Sequence, residues 1–384
     1  MCHARFTNNS NSDIRSMSVD IALYLPDLKG GGTEYVMVQL ANGLVSHGLK
    51  VDFVLVQATG VNQKFLSEKV RVVDLRSHNT YVSLPALIRY LNQTQPRVLF
   101  SSLDLTNLMA LLARKLSRGK PRLVIRVGNT ISFQKRPFVK KKLEKLLLST
   151  LYPWADEVVA NSKYGAEDII EYAGLSPTKV HVLYNPVVSP DMLNKAREDA
   201  GHAWLKNGEP PVVLGAGRLT EQKDFATLLQ AFALLRKKMD ARLIILGEGV
   251  KRSELEGLAR HLGIKKDVDL HGYVENPYPF MRQSRVFVLS SKWEGSPSVV
   301  IQALACGCPV ISTDCPGGIR EILAAPSGAY GDLVQVGDAA AMAEAIGRVL
   351  ESGGKREIPD WLDQFSIERV IDEVIKILLP EDIR

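Results

Sequence analysis

Short apolar runs rich in β-branched residues recur from residue 19 onward: VDIALYL (19–25), VDFVLV (51–56), RVVDL (71–75), RVLFS (97–101), RLVIRV (122–127), EVVA (157–160) and VHVLY (180–184). They carry little polar alternation, which predicts strands buried on both faces. Stretches with helical spacing lie between them, such as 34–47, ended by Gly48. A polar, proline-bounded stretch, VVSPDMLNKAREDAGHAWLKNGEPP (187–211), breaks the rhythm. It then resumes with VVLGA (212–216), RLIIL (242–246), VDL (268–270), VFVL (286–289) and PVIS (309–312), and a helical segment at 225–238. Two such series predict an α/β protein of two doubly wound, Rossmann-like domains facing each other across a cleft, with ligands at the carboxyl ends of parallel strands. The expected limits are 18–189 and 190–364. FSIERVIDEVIKILL (365–379) has amphipathic helical spacing and follows a complete second series, so 365–384 is expected to pack back on the first domain.

Length agrees with this division. The chain has 384 residues, 46% hydrophobic and 23% charged, which excludes collagen-like and mostly disordered chains and suits two domains. Cys306, Cys308 and Cys315 crowd into the apolar stretch ALACGCPVISTDC with no histidine beside them, so they read as reduced, buried small residues rather than metal ligands. The polar residues 1–17 read as a disordered leader without a signal-peptide core, and either Met1 or Met17 could start the chain. No apolar run is long enough to span a bilayer, and reduced thiols point to the cytoplasm.

Three loops carry candidate chemistry. PDLKGGGTE (26–34) joins the first strand to a helix, and its glycines allow a phosphate to approach the helix N-terminus; a plain tight turn would read the same way. GAGRLTEQKD places Arg218 and Lys223 beside another strand end and helix N-terminus, where two cations can hold a diphosphate that gains charge as it leaves. SSKWEGSPSVVIQ presents Glu294 and, eight positions later, Gln302, a carboxylate and an amide able to share sugar hydroxyls. Asp267-x-Asp269 has the look of a metal-binding pair but opens a short strand, and no metal is expected there; His271 reads as structural or base-side.

GRLTEQKD, LGEG, HGYVEN, EGSPSVVIQALACGCPVIST and PGGIREIL, in this order, resemble the donor half of retaining GT-B glycosyltransferases of glycosyltransferase family 4. GGGTEYVMVQLANGLVSHGLKV, ADEVVANSKYGAEDI and LYNPV resemble that family's N-terminal half. The resemblance implies a nucleotide-sugar donor, UDP favoured and GDP possible, and a sugar or polyprenyl-linked glycan acceptor, with no metal or other cofactor. It implies catalytic roles for Arg218, Lys223 and Glu294. Gly31, Gly32, Gly217, Glu248, Tyr273, Val274, Ser296, Pro297, Ser298, Val299 and Gln302 would meet the donor. The chain departs from the pattern in two places. Gln302 stands where the family has glutamate, and RVGNTIS (126–132) lacks the histidine many members carry, leaving Arg126 and Asn129 as acceptor-side candidates.

Charge is unevenly spread. Residues 1–190 carry 24 Lys and Arg against 14 Asp and Glu, whereas the remainder is net acidic, leaving +6 overall. Twelve basic residues fall within 114–145, against the single acid Glu144. The mixture of leucines and lysines at 135–147 suits a helix lying on anionic lipid, although a helix with a core leucine face would share that sequence. The expected location is therefore the cytoplasmic face of the inner membrane, peripherally bound. Too few aromatics interleave the basic residues for nucleic-acid binding. A nucleotide-sugar epimerase on the same fold, or a non-catalytic sugar-nucleotide binder, are the alternatives.

Overall fold

The structure, a computed structural model, describes residues 19–132, 137–323, 331–352 and 358–381, so the expected leader 1–17 lies outside the described residues. The first domain contains β1 (Ile21–Leu25), α1 (Gly32–Ser46), β2 (Val51–Leu55), β3 (Arg71–Asp74), α2 (Leu84–Thr94), β4 (Val98–Ser102), α3 (Asp104–Leu116), β5 (Arg122–Val127), α4 (Phe138–Leu151), β6 (Glu157–Ala160), α5 (Lys163–Ala173) and β7 (Val180–Val182). The second contains α6 (Pro190–Lys195), β8 (Val212–Ala216), α7 (Phe225–Arg236), β9 (Arg242–Leu246), α8 (Arg252–His261), β10 (Val268–Gly272), α9 (Tyr278–Gln283), β11 (Val286–Leu289), α10 (Ser298–Ala305), β12 (Val310–Thr313), α11 (Ile319–Leu323), β13 (Gly331–Val334) and α12 (Ala339–Ser352); α13 (Ile367–Leu378) follows.

Every strand pair is parallel. The orders are β3-β2-β1-β4-β5-β6-β7 and β10-β9-β8-β11-β12-β13. Each sheet reverses direction beside its first strand, and such switch points open a crevice at the carboxyl ends. The two-residue period of a strand explains the apolar runs. Ile21, Leu23 and Leu25 enter the core beneath α1, whereas Ala22 and Tyr24 enter the one beneath α2 and α3. The second sheet divides likewise, with Val212 and Leu214 on one face and Val213 on the other. Cys306, Cys308 and Cys315 are buried free thiols, and burial pushes Cys306 and Cys315 up to about 12, which makes them unreactive core residues.

Strand β13 escaped the hydrophobic pattern. Its sequence, GDLV, carries one buried residue and lies at a sheet edge, where little apolar content is needed. β10 also extends past the expected 268–270, with an irregularity between Leu270 and Gly272.

The chain crosses between domains twice, side by side: the Val187 and Val188 N–H groups donate to Phe365 O, and Ile367 N donates to Val188 O. After the second crossing, Val370, Ile371, Val374 and Leu378 of α13 enter the first domain's core against α1. A Cβ at Gly43 would lie 2.3 Å from the Ile371 side chain, so α1 can approach α13 only as glycine there. Ile371→Ala is expected to cost about 2–5 kcal/mol, read by urea unfolding. An unchanged midpoint would remove α13 from that core.

Candidate active site

A cavity of about 370 Å³ lies between the two sheets. The N-terminal domain supplies Gly32, Thr33 and Tyr35 at the start of α1, then Arg126 near the end of β5 with Gly128 and Asn129 just past it, Asn161 after β6 and Asn185 after β7. The C-terminal domain supplies Gly217, Arg218, Gln222 and Lys223 after β8, Glu294 after β11, and Ser296–Val299 with Gln302 around the start of α10. Except at α10, each contribution lies at or beyond the carboxyl end of a parallel strand.

At its centre is an ion pair. Lys223 Nζ lies 2.6 Å from Glu294 Oε1, with side-chain exposures of 17% and 8%. Ser291 Oγ donates to the same carboxylate oxygen at 2.5 Å. The loop that carries Lys223 is pinned to the loop after β11: Ser290 Oγ donates to Lys223 O, Lys292 N to Gln222 O, and Gln222 Nε2 to Trp293 O. Asp224 holds a left-handed φ of 45°, which aspartate tolerates, and ends the loop as the N-cap of α7. Gly217 (φ 154°) and Gly247 (φ 132°) press backbone against backbone, since a Cβ on Gly247 would lie 2.0 Å from Gly217 O. That contact sets where Arg218, an exposed residue, leaves the sheet.

The N-terminal domain docks directly onto the Glu294 loop. Thr130 Oγ1 donates to Glu294 O at 2.8 Å, while within the N-terminal domain Asn161 Nδ2 donates to Gly128 O at 2.9 Å. Asn185 Nδ2 donates to Ser298 Oγ at 3.0 Å and to Ser296 O at 3.4 Å. Glu321 accepts from the Lys163 N–H of α5 and from Tyr184 Oη, and burial together with this carboxylate pushes the Tyr184 hydroxyl well above its usual range. Arg126 is 2% exposed; its Nη2 donates to Asn185 Oδ1 at 2.6 Å and its Nη1 reaches Ser102 Oγ at 3.4 Å.

Of the residues expected from the sequence, Arg218, Lys223, Glu294, Gly32, Gly217, Ser296, Pro297, Ser298, Val299, Gln302, Arg126 and Asn129 come together around this cavity. Gly31 caps α1 just outside, beneath the Glu34 carboxylate, where a Cβ would lie 2.1 Å from Glu34 Oε2. Glu248 stands apart in an ion pair with Arg252, Tyr273 projects into solvent at 70% exposure, and Val274 packs on the second domain's core; none of the three lines the cavity. Thr130, Asn161 and Asn185 were not singled out, although a polar residue just past a parallel strand is the signal that could have found the two asparagines.

The Asp267-x-Asp269 pair is divided between two tasks. Asp267 takes Arg236 and Arg242. Asp269 Oδ2 meets His202 Nε2 at 3.1 Å and His271 Nδ1 at 2.9 Å. The Trp204 N–H donates to His202 Nδ1, so His202 carries its proton on Nε2 and gives it to Asp269. The cluster is a hydrogen-bonded clasp tying the interdomain stretch to β10, and His202 was not visible as its partner in sequence.

Helix α4 turns an apolar stripe outward. Val139, Leu143 and Leu146 are 76%, 65% and 64% exposed, beside exposed Lys140, Lys142 and Lys145. Only Leu148 and Leu151 of this helix are buried among its described leucines. Residues 135 and 136 of the expected lipid-facing segment lie outside the described residues.

Residues 30–189 match the family model of Glycosyltransferase Family 4, and residues 196–360 match that of Glycosyl transferases group 1. The chain is 36% identical over 260 residues to the N-acetylgalactosamine-N,N'-diacetylbacillosaminyl-diphospho-undecaprenol 4-alpha-N-acetylgalactosaminyltransferase of Campylobacter jejuni, covering 67% of this chain and 68% of that protein. It is 27% identical to that organism's GalNAc-alpha-(1->4)-GalNAc-alpha-(1->3)-diNAcBac-PP-undecaprenol alpha-1,4-N-acetyl-D-galactosaminyltransferase, over 93% of this chain and 98% of that one. Among solved structures, Anabaena HepE with UDP-glucose superposes with a TM-score of 0.76 at 18% identity, covering 94% of this chain and 99% of that one. WaaG, a glycosyltransferase of lipopolysaccharide biosynthesis, superposes at 0.71 and 14% identity, over 94% and 100%.

Proposed function

The chain belongs to glycosyltransferase family 4 and is a glycosyltransferase of the GT-B fold, and from that premise we propose that it moves a hexose or N-acetylhexosamine from a UDP-sugar, with retention, to a lipid-linked glycan. The observation that carries this reading is the buried Lys223–Glu294 pair facing the starts of α1 and α10. A donor diphosphate entering there would draw Lys223 Nζ and Arg218 to its oxygens. Glu294, still held by Ser291, would then be free to accept a hydroxyl of the donor sugar. Gln302 can still hydrogen-bond a ribose hydroxyl, with one amide oxygen in place of a carboxylate.

Glu294 is the one carboxylate lining the cavity among the described residues, and Lys223 and Ser291 already engage it. A double displacement would want a second, unengaged carboxylate as nucleophile. Front-face substitution needs none: the anomeric carbon–phosphate oxygen bond breaks, its electron pair stays on the diphosphate, and the acceptor oxygen bonds on the same face. The acceptor proton passes to a phosphate oxygen. Catalysis then rests on positioning and on cations aimed at the departing phosphate. HepE, a fold relative, is known with UDP-glucose, and this supports the choice of base. The test is a thermal-shift screen with UDP-glucose, UDP-N-acetylglucosamine, GDP-mannose and ADP-glucose. A ligand at 100 times its Kd adds about 2.7 kcal/mol to stability, so the UDP-sugars are expected to raise the melting point. A shift with GDP-mannose alone would change the base, and no shift with any would overturn the donor reading.

The acceptor reading draws on α4 and on the diphospho-undecaprenol substrates in the names of the Campylobacter jejuni relatives. Exposed leucines flanked by lysines have the chemistry to rest on anionic lipid headgroups, and no helix among the described residues is long and apolar enough to cross a membrane. Lys141 Nζ is tied to Ser132 O and Lys145 lies over the Tyr172 ring, which leaves Lys140 and Lys142 to meet lipid. Flotation with anionic liposomes is expected to carry the wild type upward and to leave Lys140→Glu with Lys142→Glu behind. Equal flotation of both would count against the membrane surface.

A further inference from the structure

Arg126 is a buried cation with no carboxylate partner among the described residues. It is 2% exposed, lines the cavity, and its side-chain hydrogen bonds go to neutral partners, Ser102 and Asn185. Burial pulls its pKa down to about 10, so it stays charged at neutral pH. Placing an uncompensated charge in a protein interior is costly, and such charges are normally paired or used to hold an anion. The surroundings favour the second outcome. A Cβ at Gly128 would lie 3.2 Å from Arg126 Nη1 and 3.5 Å from Thr33 Oγ1, which puts the guanidinium beside the first turn of α1. On its other side Asn185 leads to Ser298, the first residue of α10. Neither helix start has a side-chain cap, and both present partial positive charge. The cavity lining carries Arg126, Arg218 and Lys223 against Glu294, a surplus of two positive charges. A diphosphate carries the complementary charge.

The hydrogen-bond directions add a second function. Arg126 Nη2 donates to Asn185 Oδ1, which fixes the amide so that Nδ2 donates to Ser298 Oγ. A lone pair of Ser298 is thereby used, and its O–H is left to donate to a ligand oxygen. We infer that Arg126 is a positioning residue for the donor diphosphate: its buried charge, and Ser298 oriented through Asn185, hold the phosphate and stabilise it as it leaves. This rests on the donor reading above. It moves Arg126 from the acceptor side, where the sequence placed it, to the donor's leaving group. It also makes the N-terminal domain a contributor to diphosphate affinity, so that domain docking and donor binding become one event.

The experiment compares Kd for UDP and for uridine by calorimetry in wild type, R126Q, R126K, N185A and S298A. A hydrogen bond to a charged group corresponds to about 10- to 100-fold in affinity. R126Q and S298A are expected to lose about that much for UDP while binding uridine as wild type does. R126K, which keeps the charge, should recover part of the loss. N185A is expected to behave like S298A, because it frees the hydroxyl from its orientation. S298A and R126K keep the reading testable if R126Q fails to fold, since neither removes the buried charge. Wild-type UDP-to-uridine ratios in S298A and R126Q, or in S298A and N185A should R126Q not fold, would overturn this inference alone. So would a defect confined to acceptor KM. Failure of the wild type to bind any nucleoside diphosphate would overturn the donor reading instead.

Discussion

Lys223→Ala is expected to lower the rate of sugar transfer by about 10²–10³-fold or more, the loss typical of removing one preorganised charge from a transition state. It should also weaken the fold, which the sequence alone did not suggest. Lys223 and Glu294 are nearly buried and 2.6 Å apart, so removing the lysine leaves a buried carboxylate with Ser291 alone. Breaking a buried pair in this way costs about 3–5 kcal/mol. The double variant Lys223→Met with Glu294→Gln removes both charges and should regain most of that stability while remaining inactive. Urea unfolding and single-turnover transfer separate the two effects. Wild-type turnover in Lys223→Ala would sink the catalytic assignment, and an unchanged unfolding midpoint would sink the buried-pair account.

Gly295→Ala is the second large effect. A Cβ there would lie 2.2 Å from Gly128 O and 3.0 Å from Asn161 Nδ2, both across the domain boundary. The nearer atom is backbone and cannot swing aside, so the domains must part. That would stretch the Thr130 bond to Glu294 O and the Asn185 bond to Ser298. A misplacement of about 1 Å can cost roughly 100-fold in rate, and we expect at least that in kcat/KM with each domain still folded. Gly257→Ala is the control: it sits mid-helix in α8, where the new methyl would meet only Arg260 Nη2 at 3.9 Å. Near wild-type activity in both variants would refute tight docking at this loop.

Much of this architecture was legible because it depends on local periodicity. A strand covered on both faces is apolar at nearly every position, and β1, β8 and β11 announce themselves in this way. The spacing of Val370, Ile371, Val374 and Leu378 likewise specifies a one-faced helix. Edge strand β13 was not legible, since half-exposed GDLV lacks the signal. The loops carrying Arg218, Lys223 and Glu294 reach one cavity because a parallel α/β sheet presents its strand ends to one side. Glu248 and Tyr273 were legible as loop residues, but their distance from the cavity was not.

The sequence by itself determined which residue types stand at which strand ends, and hence the two domains and the loops that carry Arg218, Lys223 and Glu294. Only the tertiary structure decided what each of them touches. Lys223 and Glu294 lie 71 positions apart, and Arg126 reaches Ser298 through Asn185 across a domain boundary. It likewise decided that Leu143, Leu146 and Leu147 of α4 face outward while Leu148 and Leu151 enter a core. The reason is physical: periodicity is a property of neighbouring residues, whereas charge pairing and exposure depend on how two separately folded sheets meet.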